Sequence, residues 1–159
     1  RADDLFPKTI ESRYEVMQWL MFQMSAVGPM MGQAMFFQRI AMPKGIVDEY
    51  AIERYVKESR RLLSVVNDRL VGRDYLCGDY SIADMACWPW ILTYKSQKID
   101  LVDFPNIRRW YDLLKTRPGL RRGYDLLKEF RSKRGNEAPD AEARIHLFGT
   151  AAQNDTARS

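Results

Sequence analysis

Histidine and cysteine are almost missing from this sequence: there is one histidine, His146, and two cysteines, Cys77 and Cys87, with no Cys-x-x-Cys pair. That scarcity leaves no zinc-type ligand set and no disulfide framework, so no metal is expected and a reducing, cytoplasmic setting fits the thiols best. Paired carboxylates, a glycine-rich phosphate loop and a Ser/His/Asp spacing are also lacking, so the residues announce no reaction by themselves. Charge of one sign is not in excess beyond a net +4. The arginines after Arg108 are scattered rather than gathered into a basic stripe with a motif, and no nucleic-acid partner is expected. The charge-free run at 85–92 is far too short for a bilayer, and no membrane partner is expected either. No strand alternates convincingly and no repeat is apparent. A signal peptide is lacking, and the first residue is Arg1 rather than Met, as in a processed product or a piece of a longer chain.

What is present is helical signal. At 159 residues the chain is long enough to bury a core. Its clearest element begins at Ser81, whose hydroxyl has the chemistry of an N-cap, with Asp84 spaced to reach back to the Ser81 amide. Tyr80 and Met85 stand where a hydrophobic staple would close. No charge follows from 85 to 92, which predicts a helix near 82–95 apolar on every face and surrounded by other helices. Pro89 inside it removes one hydrogen bond, so it must bend or end early.

Residues 1–11 read as a polar, linker-like lead. From Ser12, Val16, Leu20 and Val27 with Met17, Met24 and Met31 follow helical steps, and the apolar arc is wide. Gly28-Pro29 predicts a kink, since Pro29 cannot donate; Gly28 and Gly32 leave a strip where a backbone or a ligand can come close. The cluster Met30, Met31, Met35, Phe36 and Phe37 serves as core or as a pocket or partner face. Residues 41–46 read as a loop, 47–70 as a long amphipathic helix stopped at Gly72, and 100–103 as a polar turn before a helix opened by Pro105. A short helix is expected at 120–130, and 131–159 reads as a tail, ordered in part if Leu147 and Phe148 find a groove. The fold class is therefore all-α, a helical bundle with one helix buried in the middle.

Among reactive side chains, His146 reads as a solvated tail residue, Cys87 as an inert core thiol, Cys77 as inert for want of a resolving partner, and Asp84 as a cap rather than an acid. Arg54, on the polar side of the long helix, reads by default as a surface ion-pair partner.

The blocks Gly28-Pro29-Met30-Met31-Gly32-Gln33, Tyr50-Ala51-Ile52-Glu53-Arg54-Tyr55, Tyr80-Ser81-Ile82-Ala83-Asp84, Ala86-Cys87-Trp88-Pro89-Trp90 and Phe104-Pro105 stand in order along the chain. Together they resemble the C-terminal helical domain of a glutathione transferase, and in combination they resemble the bacterial nu-class enzymes and the fungal group that includes the yeast nitrogen-regulator prion. The likeness covers about 12–125, extends weakly to 143–149, and sets a domain at 12–130. It implies a cytoplasmic homodimer that uses glutathione on a small electrophilic or disulfide substrate, as a disulfide reductase with weaker transferase activity. It implies that Arg54 contacts glutathione, a guanidinium suiting a carboxylate of the tripeptide. It implies a second-substrate pocket walled by the kinked first helix, with Gly28, Met31 and Met35 the residues expected there; Ser81 and Asp84 remain structural caps. In such enzymes a thioredoxin-like N-terminal domain holds most of the glutathione, and these residues contain none. Little turnover is expected from the chain alone. The alternative is a stand-alone helical module that binds a protein partner.

Overall fold

The computed structural model describes residues 5–45, 47–126 and 145. Apart from Ile145, the expected tail at 131–159, with His146, Leu147 and Phe148, lies outside them. Contacts divide the chain after Arg121 into two compact units. The described residues of the first are all-α, as expected.

The first helical path is longer and smoother than its glycine and proline suggest. Helix α1 (Ile10–Phe22) passes through a π turn (Gln23–Val27) into α2 (Gly28–Phe36), then through a second π turn (Phe37–Ala41) and a 3-10 turn (Met42–Lys44) to Gly45 at φ 78°. The expected kink is therefore a widened turn. Pro29 has no amide to donate, and the Gly28 amide reaches five residues back to the Gln23 carbonyl, so the path stays helical. The loop expected at 41–46 is likewise mostly a helical end.

Asp48 caps α3 (Glu49–Arg69) by accepting from the Ala51 amide at 2.9 Å. Its inward face buries Ala51, Ser59, Leu62, Leu63 and Val66, and Gly72 at φ 66° turns the chain away, as its position predicts. Helix α4 (Ile82–Ile91) has the capping box in full. It ends before the span expected for it, and it is not apolar on every side to good purpose: Ala83, Asp84, Cys87, Trp88 and Ile91 face inward while Met85 and Pro89 are exposed. The helix is the buried central one expected, with Met85 and Pro89 alone of its residues exposed. Pro89 sits on the outer side, where the carbonyl it leaves unpaired is least costly. Tyr80 packs its ring against Tyr75 at 5.6 Å and under the Arg117 guanidinium at 3.6 Å, and Met85 stays outside. Leu5 of the lead accepts from the Ile82 amide, so the lead is tied to the start of α4.

After α4 come two 3-10 turns, Tyr94–Gln97 and Leu101–Asp103, and then α5 (Pro105–Lys115). Phe104 cannot cap α5, and the side chain of Asn67 on α3 does so instead, accepting from the Asn106 amide at 3.0 Å and the Ile107 amide at 3.4 Å. Helix α6 (Pro118–Leu126) opens on its proline, two residues earlier than the pattern predicts.

The core gathers Val16 and Trp19 from α1, Met31 from α2, Leu62, Leu63 and Val66 from α3, Cys87, Trp88 and Ile91 from α4, and Ile107, Trp110 and Leu114 from α5. Each fully buried leucine- or tryptophan-sized side chain contributes roughly 1.5–3 kcal/mol. Their effect is to hold α3 by its inward face and leave its other face to solvent.

Candidate functional site

With its other side committed to the core, α3 turns Tyr50, Glu53, Arg54, Lys57, Glu58 and Arg61 outward in alternating steps of three and one, a single helical stripe. Together with Met30 of α2 and Tyr55 they line an open groove of about 660 Å³. Tyr55 is held by its stack on Phe37, with ring centroids 5.7 Å apart and planes 16° from parallel, so the π turn at Phe37–Ala41 braces the start of the stripe.

The charges in the groove are unequally engaged. Arg61 donates from Nε and Nη2 to the two carboxylate oxygens of Glu58, both at 2.8 Å, a forked pair that satisfies both groups. This pairing holds the Glu58 carboxyl below the usual carboxylate range against the effect of burial, with the Arg61 charge and the more distant Arg54 charge helping. Arg54 has no hydrogen-bond or ion-pair partner among the described residues and is exposed. A guanidinium in that condition offers its whole fork to an incoming carboxylate. Among the described residues, no cysteine, serine or histidine lines the groove, so no nucleophile–base pair built on one of them faces it.

The other expected residues fall elsewhere. Met31 is fully buried in the core, whereas Met30, one residue and about 100° around the helix, faces the groove. Met35 is half-buried and Gly28 is buried. The strip at Gly28 and Gly32 is occupied by the Trp90 indole of α4. A Cβ at Gly28 would come within 3.2 Å of that ring and 2.8 Å of Gln23 Nε2; one at Gly32 would meet the ring at 3.7 Å. None of the three pocket residues shares the groove with Arg54.

Ser81 and Asp84 are where the capping pattern puts them, but Asp84 does more than cap. Its Oδ2 accepts from the Ser81 amide at 3.1 Å, and its Oδ1 accepts from the Leu76 amide at 3.0 Å and from Trp110 Nε1 at 2.8 Å. Burial pushes the Asp84 carboxyl up, against the pull of these donors. The partners at Leu76 and Trp110 could not be read from local spacing; the one available signal was a tryptophan, which needs an acceptor when buried.

Cys77 lies half-buried beside a smaller groove of about 490 Å³ lined by Pro7, Lys8, Ser12, Asp79, Tyr80 and Ser81. Burial, with the nearby Asp84 and Glu15 charges, pushes its thiol up to about 11, and burial pushes the Cys87 thiol up to about 12. Both remain protonated near neutrality, which makes them poor nucleophiles. Among the described residues no cluster of three or more His, Cys, Asp or Glu side chains could hold a metal, and no helix is long and apolar enough to cross a membrane.

Comparison with known proteins gives the family of the fold. The family model described as glutathione S-transferase, C-terminal domain, matches residues 29–118. The disulfide-bond oxidoreductase YfcG of Escherichia coli is 44% identical over 107 residues, covering 67% of this chain and 48% of the relative. A glutathione transferase of Burkholderia graminis, solved with two glutathione molecules bound per subunit, superposes with a TM-score of 0.70 at 42% identity, over 76% of this chain and 52% of that one. Ure2p5 of Phanerochaete chrysosporium, cocrystallised with 1-(S-glutathionyl)-2,4-dinitrobenzene, superposes with a TM-score of 0.73 at 30% identity, over 82% and 63%. The chain thus spans about half the length of the curated relative it matches at 48% coverage.

Proposed function

The chain belongs to the glutathione S-transferase C-terminal domain family, and from that premise we propose that it is the helical half of a glutathione-dependent disulfide-bond reductase and transferase. The observation that carries the reading is the unpartnered Arg54 in the groove on α3. Its fork takes a carboxylate of glutathione, while Tyr50 and Tyr55 supply flat apolar contact and hydroxyls for the peptide groups. Met30 and Met35 border the second-substrate pocket from α2, and Gly28 and Met31 shape that wall from beneath. The second substrate is a small disulfide or electrophile, in keeping with a relative named disulfide-bond oxidoreductase and a neighbour solved with a glutathionyl conjugate.

The working molecule is a cytoplasmic homodimer. Ile10, Tyr14, Met17, Met21 and Met24 follow alternating steps of four and three along α1 and into the π turn after it, and are all exposed. Such a seam suits a second copy of the same helix lying across it by two-fold symmetry.

Turnover needs a group that stabilises the glutathione thiolate, which the family carries on a thioredoxin-like domain. The test is reduction of a small model disulfide by glutathione. The chain alone is expected to give no rate above the uncatalysed one, and the chain fused behind a thioredoxin-like domain of the family is expected to turn over, with Arg54→Gln raising KM about tenfold or more and changing kcat little. Full turnover by the chain alone would overturn the division of labour. An unchanged KM in the Arg54 variant would overturn the binding role.

A further inference from the structure

The groove on α3 contains two guanidinium groups in opposite conditions. Arg54 is unpartnered among the described residues, whereas Arg61 is closed by its forked pair with Glu58. Seven residues separate the two arginines, close to two full turns, so they share one stripe and stand about 10 Å apart along the helix axis. Between them is Glu58. Its hydrogen bonds to Arg61 hold its carboxyl below the usual carboxylate range against burial, and the Arg61 and Arg54 charges add to that pull. The carboxylate thus sits in the field of both arginines while giving both of its oxygens to one.

A ligand carboxylate meets Arg54 without displacing anything, whereas at Arg61 it must first displace Glu58. Access is not the obstacle, since the Arg61 side chain is 61% exposed. Neither is reach: an extended tripeptide spans about 10 Å, enough to set one terminal carboxylate at each arginine. Lys57 and Glu53 also line the groove, one turn apart and of opposite sign, and neither forms an ion pair among the described residues, so they offset one another in its field. The group that limits how many carboxylates the groove accepts is therefore Glu58.

We infer that Glu58 is a specificity-determining residue of this groove, an internal carboxylate that occupies Arg61 and restricts the site to one carboxylate of the ligand, the one at Arg54. The inference rests on the glutathione reading of Arg54. The probes are glutathione, with two carboxylates, and its monoethyl ester, in which the glycyl carboxylate is blocked. Amide resonances of the full chain in a titration give both affinities. In Glu58→Gln, which keeps the length and removes the charge, the preference for glutathione over the ester is expected to rise about fivefold above the native ratio, the release of one exposed pair. Glu53→Gln makes the same change of charge without freeing an arginine, so both ligands should tighten alike. In Glu58→Gln combined with Arg61→Gln the gain should vanish. A ratio unmoved in Glu58→Gln, moved as far in Glu53→Gln, or still raised in the double variant would overturn the role of Glu58. Arg54→Gln separates that failure from failure of the reading beneath it. If this variant binds glutathione like the native chain, both fall; if it binds more weakly and the Glu58→Gln ratio is unmoved, the role of Glu58 falls alone.

Discussion

At the scale of single residues, Asp84 shows how a local rule understates a buried group. As a cap alone its loss would amount to about 1 kcal/mol. With the Leu76 amide, the Ser81 amide and the Trp110 indole all donating to it, Asp84→Ala strands three buried donors, and a loss of about 3 kcal/mol or more is expected in urea unfolding. Trp110→Phe, which removes one donor and keeps most of the volume, should lose about 1–2 kcal/mol. The same carboxyl gives a pH dependence of defined sign. Because burial raises it in the folded state, the native chain holds its proton at pH values where the unfolded chain has already lost it. Stability from this group is present below the ordinary carboxylate range and falls as pH rises from there through the raised value. A urea series across that window should show the fall in the native chain and not in Asp84→Asn. The Ser81–Asp84 spacing was legible because a capping box is written in four consecutive residues. Trp110, far along the chain, and Leu76, through its backbone, carry no local mark of the contact.

At the scale of elements, the first helical path is where periodicity misled most. Gly28-Pro29 reads as a kink, yet a π turn absorbs the missing amide and the path continues. The two glycines of α2 read as an open strip, yet the Trp90 ring lies on it, a contact set by how α4 crosses α2 and invisible in either segment. The glycines should therefore respond differently to a methyl group. Gly28→Ala must push against the Gln23 carbonyl and the Trp90 ring at 3.2 Å, and a loss of about 1–3 kcal/mol is expected. Gly32→Ala meets the ring at an ordinary 3.7 Å and relieves the entropy of a helical glycine, so it should be neutral or stabilising by up to about 1 kcal/mol. Thermal melts of the pair check this. The α3 stripe was fully legible in principle, since Tyr50, Glu53, Arg54, Lys57, Glu58 and Arg61 share one face at helical spacing. What the sequence could not say is that Arg61 is taken by Glu58 while Arg54 is left over.

At the scale of the whole molecule, the all-α architecture was readable from capping and apolar periodicity, because a buried stripe on each helix leaves few ways to pack them. Assembly with a second copy is the next level of the same logic. Met21→Lys, in the middle of the α1 seam and 56% exposed, should convert a dimer to a monomer in light scattering without lowering the melting temperature of the separated chain. A native chain that runs as a monomer at all concentrations would count against the seam. The central claim, however, is that Arg54 is the glutathione contact on this half of the molecule, and a titration of the chain with glutathione followed by its amide resonances tests it most directly. The account predicts shifts confined to the turns of α3 around Tyr50–Glu58 and to Met30, weakened about tenfold in Arg54→Gln and little changed in Asp112→Asn on α5. Shifts that avoid α3, or an Arg54→Gln chain that titrates like the native one, would contradict it.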